Sequence, residues 1–223
     1  METQFNEVFS TMHPYMIGIA GASGSGKTTF AKYLSERLKL QESAVISVDS
    51  YYRDRPELSF TQRNNVNYDE PQAIDKPLLT AHLVRLSKGL PINQPIYDFS
   101  QHGRITTTKR VAPRGCVIVE GNLLFLWSDL CALFNTKLFV IIDGSTAFKR
   151  RLVRDTKYRG RSPQSVRTQW TETVEPMWTR FVEPTHSIAD IVLDGSSSLQ
   201  ENGETVLNHL RHDCQSNVFP DSV

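Results

Sequence analysis

The chain has 223 residues, 39% of them hydrophobic and 22% charged, with 25 basic against 24 acidic side chains, six His and three Cys. Folding a chain of this size buries about 70% of its unfolded surface, enough for one core without disulfides, so a single domain is expected. The longest apolar stretches, residues 116–119 and 138–142, fall far short of the roughly 20 residues that cross a bilayer, and a net charge of +1 gives no global reason to expect nucleic acid or membrane as a partner.

Residues 1–14 read as a tail. METQFNEVFSTMHPY holds two Glu, no basic residue and no apolar segment, which fits neither a secretory signal nor a transit peptide, so a cytoplasmic location is expected. Cys116, Cys131 and Cys214 are odd in number and lack metal-ligand spacing, which points to reduced thiols. Apolar runs then alternate with helical patterns, the signature of an α/β domain with a mostly parallel five-stranded sheet flanked by helices. YMIGIA (15–20) is a strand running into a glycine-rich turn, and a helix from Thr28 places Phe30, Tyr33, Leu34 and Leu38 on one face. Further strands are expected at 44–48, 115–119, 137–142 and 188–193. A helix near 75–88 puts Leu79, Leu83, Leu86 and Leu90 in register. The irregular stretch 91–113, with PIYDF and RITTTKR, predicts a small β-ribbon insertion. Later helices are expected at 146–154, 162–181 and 198–210. The middle one starts on Ser162-Pro163, a cap followed by proline. It aligns Val166, Trp170, Val174, Met177 and Phe181, with Pro176 expected to kink it. The domain therefore spans 15–211, with a lid at about 154–163 and a polar tail over 212–223.

The strongest local signal is Gly21-Ala22-Ser23-Gly24-Ser25-Gly26-Lys27-Thr28, followed by Thr29. It matches G-x-x-x-x-G-K-[ST] between a predicted strand and a predicted helix. Small residues let the backbone turn its N–H groups onto phosphate oxygens, and the helix N-terminus adds positive charge. Lys27 suits the β- and γ-phosphates and Thr28 a Mg²⁺ ion. This P-loop implies a nucleoside triphosphate but not a reaction. The chain lacks an N-K-x-D motif, an L-S-G-G-Q motif and an apolar run ending in Asp-Glu, so GTPase switches, transporter ATPases and helicase-like motors lose ground to a small-molecule kinase.

Ligands of open parallel sheets sit beyond the carboxyl ends of the strands, where Asp49 follows AVISV and Glu120 follows GCVIV. Asp49 is the candidate base for an acceptor hydroxyl and Glu120 a candidate for the Mg²⁺ shell. Asp143 also ends a strand, but Gly144 and Ser145 make it a helix cap. Between 149 and 167 eight basic residues face one acid, Asp155. Arginines at helical spacing followed by Tyr158-Arg159-Gly160-Arg161 suit a lid that closes on polyphosphate, while Lys149 and Arg150 point toward solvent. Aromatic residues are not interleaved as single-strand nucleic-acid binders require.

Six motifs, in order, resemble the uridine (uridine–cytidine) kinase family over about residues 15–195. They are the P-loop, Asp49-Ser50-Tyr51-Tyr52-Arg53-Asp54, Asn67-Tyr68-Asp69-Glu70-Pro71, Pro95-Ile96-Tyr97-Asp98-Phe99 with His102, Glu120-Gly121, and Arg159-Gly160-Arg161. The resemblance implies ATP- or GTP-dependent phosphorylation of the 5′-hydroxyl of uridine and cytidine, a Mg²⁺ requirement and a homo-oligomer, by resemblance a tetramer. It implies Asp49 as base with Tyr52 beside it, Asp69 on the ribose hydroxyls, and Tyr97, Phe99 and His102 around the base. Arg151 then lies near the acceptor, Arg154, Arg159 and Arg161 face phosphate, and Gln169 contacts the nucleoside. Without the resemblance, Tyr97 and Phe99 also fit plain ribbon core, His102 a surface loop and Gln169 an exposed helix face. The chain departs from the family at Tyr158, where an acid is usual, at Asn122, where an aliphatic residue is usual, and at Leu193-Asp194-Gly195, which replaces Pro-Arg-Gly. Two alternatives stand beside this reading: a related P-loop kinase for pantothenate, a sugar phosphate or nicotinamide riboside, and a nucleotide-binding regulator without catalysis. A phosphorylated acceptor would call for extra cations on the acceptor side, and a regulator needs no base.

Overall fold

The computed structural model describes residues 13–38, 43–112 and 115–218, with side chains to residue 212. Most of the expected N-terminal tail, the end of the ribbon insertion at 113 and the last five residues lie outside it. The strands are β1 (Tyr15–Gly21), β2 (Ala44–Ser47), β3 (Ile92–Asp98), β4 (Gly103–Val111), β5 (Cys116–Glu120), β6 (Thr136–Ile141) and β7 (Ile191–Asp194). Five of them form an all-parallel sheet in the order β2-β5-β1-β6-β7, while β3 and β4 pair antiparallel as a separate ribbon. The helices are α1 (Lys27–Arg37), α2 (Phe60–Asn64), α3 (Lys76–Ser87), α4 (Ser128–Cys131), α5 (Gly144–Tyr158), α6 (Pro163–Gln169) and α7 (Leu199–Val218).

Both faces of the parallel sheet are covered, so its central strands are apolar throughout, and alternate residues divide between two cores. Met16, Ala20, Val117, Val119 and Phe139 pack with Leu79, Leu83 and Leu86 of α3 on one face. Ile17, Ile19, Ile118, Leu138 and Val140 pack with Phe30, Leu34, Val206 and Leu210 on the other. Among the described residues no helix is long and apolar enough to cross a membrane. Cys116 and Cys131 are free thiols.

Helix starts follow local chemistry. Asp75, Asp143 and Ser162 cap α3, α5 and α6 by accepting from the backbone N–H of Leu78, Thr146 and Ser165. The cap role of Asp143 is the one its flanking residues indicate. The apolar register places Leu90 with the α3 leucines, but α3 ends at Ser87, Gly89 turns the chain at φ 69°, and Leu90 is 44% exposed. α5 runs four residues beyond its expected end, carrying the lid arginines on a rigid element, and α7 continues as helix to Val218. The expected helix over 162–181 is continuous but not uniform: α6 passes into a π turn at Trp170–Val174, a short α segment at Glu175–Met177 and a second π turn at Trp178–Val182. Wider i→i+5 turns on either side of Pro176 accommodate its missing N–H and its ring. Val166 and Val174 are buried as the register predicts, but the wider turns add Val182 to the buried face and leave Trp170, Met177 and Phe181 only partly buried.

The turn after β7 backs directly onto the P-loop: a Cβ on Gly195 would lie 2.5 Å from the Ser25 carbonyl oxygen and 3.1 Å from that of Ile141. Both neighbours are backbone and cannot swing away. Gly195→Ala is therefore expected to destabilise the protein by about 1–3 kcal/mol, the usual cost of overpacking, read as a lower denaturant midpoint with an unchanged slope.

Candidate active site

The loop after β1 reaches α1 through Gly26, whose φ of 101° only glycine adopts without strain. Lys27 is buried, and its Nζ donates to the Ala22 carbonyl oxygen at 2.6 Å. Burial lowers its pKa to about 8, against the opposing pull of Glu120 and Asp49. Ser23, Gly24, Gly26, Lys27, Thr28 and Thr29 line one side of a cavity of about 300 Å³. Gly21, Ala22 and Ser25, which the motif also nominates, are buried and do not line it.

Asp49 lies in the 3-10 turn Val48–Tyr51 that follows β2, and Glu120 is the last residue of β5. Both line the cavity. Glu120 is buried, which raises its pKa, and the Asp49 charge raises it further; Lys27 and hydrogen bonds with Ser47 and Thr28 oppose them.

The far side of the cavity is aromatic. Tyr52, Tyr68 and Tyr97 meet edge to face, with centroids 5.2 Å apart for Tyr52–Tyr68 and Tyr52–Tyr97, and Phe99 packs on Tyr97 at 5.4 Å. His102 stacks on Tyr68 at 5.2 Å with an 18° interplanar angle, in a left-handed backbone conformation of φ 50°. Burial and the cations Arg161, Arg63 and Arg159 lower its pKa to about 4, so at neutral pH it is an uncharged imidazole. The Tyr97 hydroxyl is buried without a hydrogen bond of good geometry; the neighbouring Tyr68 hydroxyl donates instead to the Arg63 carbonyl oxygen at 3.1 Å.

The third wall is cationic. Arg151 is buried and joins three parts of the site: Nη1 donates to Ser23 Oγ at 2.8 Å, Nη2 donates to Gln169 Oε1 at 2.6 Å, and Asp69 Oδ1 lies 3.6 Å away. Arg161 Nη1 also donates to Gln169 Oε1, at 2.5 Å, and its Nη2 lies 3.5 Å from His102 Nε2. Arg159 covers the Phe99 ring at 3.8 Å and lies 3.9 Å from Asp49 Oδ2. Arg154 lines the same wall.

Every residue nominated beyond the P-loop is thus brought to one cavity. Several that were not nominated join them. Tyr68 was visible only as the neighbour of Asp69. Asn122 lines the cavity as well. Arg150 is exposed, as its helical position suggests, but its Nη1 donates to the Gly195 carbonyl oxygen at 2.9 Å and it reaches the cavity rim. Thr173 Oγ lies 3.4 Å from Asp69 Oδ2, brought there by the π turn after Gln169, and no sequence signal marks it.

The family described as phosphoribulokinase/uridine kinase matches residues 16–200. The chain is 43% identical over 182 residues to a uridine kinase of Deinococcus deserti, covering 82% of this chain and 88% of that one. It is 44% identical over 181 residues to a uridine kinase of Lactobacillus helveticus, covering 81% and 86%. The chain belongs to the phosphoribulokinase/uridine kinase family. Solved structures with the same fold include a D-glycerate 3-kinase from Cryptococcus neoformans (TM-score 0.59, 18% identity, 82% of this chain and 87% of that one) and a phosphoribulokinase from Rhodobacter spheroides (TM-score 0.58, 15% identity, 83% and 73%). For this family member the P-loop, strand-end carboxylates and arginine wall are one connected site.

The depressed pKa of His102 has a consequence for stability. In the unfolded chain this imidazole binds a proton near pH 6.5, and in the folded protein only near pH 4. Unfolding therefore takes up a proton between those values, and stability falls as pH drops through that window. His102→Asn, which tolerates the left-handed backbone, is expected to lose less Tm than the unmodified protein between pH 6.5 and 4.5.

Proposed function

We propose that the protein transfers the γ-phosphoryl group of ATP or GTP to the 5′-hydroxyl of uridine or cytidine. The observation that carries this reading is the single cavity that joins a P-loop on one side to a carboxylate, Asp49, and an aromatic wall on the other. Relatives called uridine kinase at 43–44% identity over most of both chains support it.

The donor phosphates lie against Ser23 to Thr29, with Lys27 and the lid arginines Arg154, Arg159 and Arg161 balancing the charge of the transferring group. Asp49 accepts the proton of the acceptor hydroxyl. Asp69 takes the ribose hydroxyls as hydrogen-bond acceptor, held by Arg151 and Thr173. Tyr52, Tyr68, Tyr97 and Phe99 enclose the base. His102, neutral at physiological pH, meets its polar edge as donor or acceptor according to tautomer, with Gln169 beside it. Closure of the arginine wall excludes water that would otherwise compete as acceptor.

Among the described residues no group of three or more His, Cys, Asp or Glu could hold a metal ion. Mg²⁺ keeps several of its waters and takes one or two protein ligands together with phosphate oxygens. Thr28 and Glu120, which both line the cavity, would hold it, and the ion would offset charge on the phosphates. A cytoplasmic location and a tetramer belong to the same reading.

ADP release measured against uridine, cytidine, pantothenate, nicotinamide riboside and ribulose 5-phosphate tests the assignment. Turnover with uridine or cytidine is expected, and its absence would overturn the reading. Asp49→Asn is expected to lower kcat at least about a hundredfold while leaving donor affinity within a few-fold, since a missing base costs about 10²–10⁴ in rate. Near-normal kcat would remove Asp49 from the base role.

A further inference from the structure

The reaction described above has no use for Asp155, yet this side chain is the most confined charge in the lid. It is 1% exposed near the end of α5. Its Oδ1 accepts from Arg154 Nε at 2.7 Å and lies 3.5 Å from Arg159 Nη1. Its Oδ2 lies 3.4 Å from Arg151 Nε but makes no hydrogen bond. The Asp155 carbonyl oxygen, at the same time, accepts from the backbone N–H of Arg159 at 3.2 Å and of Arg161 at 3.1 Å. One carboxylate thus contacts three guanidinium groups, and its backbone fixes the turn that carries a fourth.

Around it the balance of charge is unfavourable. The cavity is lined by six cations and only three carboxylates. Like charges gathered where water is scarce repel strongly, and a buried guanidinium without a partner is costly. A polyphosphate brings several negative charges to these arginines and removes the problem. Before it arrives, an anion belonging to the protein must do so. Burial alone would raise the pKa of Asp155, but the hydrogen bond from Arg154 and the charges of Arg154, Arg151 and Arg159 hold it below the usual carboxylate range, so it is ionised.

We propose that Asp155 is a positioning residue, an internal counter-ion that takes the place of the donor phosphates and keeps Arg154 and Arg159 gathered in the empty enzyme. This rests on the donor site assigned under the proposed function. When polyphosphate enters, Arg154 and Arg159 exchange Asp155 for phosphate oxygens. Arg159 leaves Asp49 in the same movement, which frees that carboxylate for the acceptor hydroxyl. The empty state therefore depends on the Asp155 charge more than the bound state does, whereas a residue needed only for shape would support both equally.

Thermal melting of the full chain with and without saturating inorganic tripolyphosphate separates the two roles. The unmodified protein is expected to gain Tm on adding tripolyphosphate. Asp155→Asn keeps the shape and removes the charge. Its empty-state Tm is expected to fall and its tripolyphosphate-induced gain to exceed that of the unmodified protein. Direct titration should show binding at least about fivefold tighter, the lower end of typical coupling between linked events. An equal or smaller gain would overturn the proposal. Should Asp155→Asn alone fail to fold, the double variant Asp155→Asn with Arg154→Leu, which removes the orphaned cation as well, is expected to fold with an empty-state Tm near the original; a double variant no better than the single one would also overturn it. If tripolyphosphate leaves even the unmodified protein unchanged, the donor site itself is misplaced and both readings fall. A gain in the unmodified protein that Asp155→Asn does not enlarge defeats only this inference.

Discussion

Crowding of positive charge is the constraint on which the rest of this site depends. Two unit charges 4 Å apart repel by about 4 kcal/mol at the effective dielectric near a protein surface, and here Lys27 and five arginines share one cavity. Five of the six donate to a partner within the site, and Arg159 lies between Asp155 and Asp49 at 3.5 and 3.9 Å. Lys27 rests on the Ala22 carbonyl, Arg150 on that of Gly195, Arg151 on Ser23 and Gln169, Arg161 on Gln169, and Arg154 on Asp155. The anchors come from distant parts of the chain, so the cationic wall exists only once β1, the turn after β7, α5 and α6 have packed together. Folding and assembly of the site are the same event.

The acceptor side is secured differently, through neutral packing and one clamp. Arg104, on β4, donates to Asp75 Oδ2 at 3.2 and 3.3 Å and to the Tyr51 carbonyl oxygen at 3.1 Å, while its own N–H reaches Asp54 Oδ1 at 3.2 Å. Asp75 caps α3 and Tyr51 ends the turn that carries Asp49. The ribbon with its rings is thereby tied to the strand-end carboxylate, and the edge-to-face contacts among Tyr52, Tyr68 and Tyr97 complete the wall.

Much of this was legible from the residues because the signals are local. A strand running into Gly-rich residues and then Lys-Thr admits few structures, and carboxylates that end apolar runs fall where ligands of parallel sheets bind. What stayed hidden depends on geometry that residue spacing does not carry. A 3.6-residue register aligns Val166, Trp170, Val174, Met177 and Phe181; Val166 and Val174 are buried as that register predicts, whereas the two π turns bring Val182 inward and leave Trp170, Met177 and Phe181 only partly buried. Leu90 fits the α3 pattern, but Gly89 ends the alignment. Asp155 counted in the sequence as one acid among eight bases, and only its burial distinguishes it. Arg150 sits where helical spacing faces solvent, and the contact it makes there belongs to a turn 45 residues further on.

The cavity-lining side chains Tyr97, Phe99 and His102 sit on a two-stranded ribbon and its turn that share no backbone ladder with the five-stranded sheet. The sheet, by contrast, carries the P-loop, Asp49 and Glu120 at its strand ends. The ribbon and the sheet are therefore separate frameworks, tied together by the clamp at Arg104. The two frameworks still meet at the lid: Arg159 lies over the Phe99 ring at 3.8 Å and Arg161 Nη2 lies 3.5 Å from His102 Nε2, so a change of ring on the ribbon also changes the support of a lid arginine.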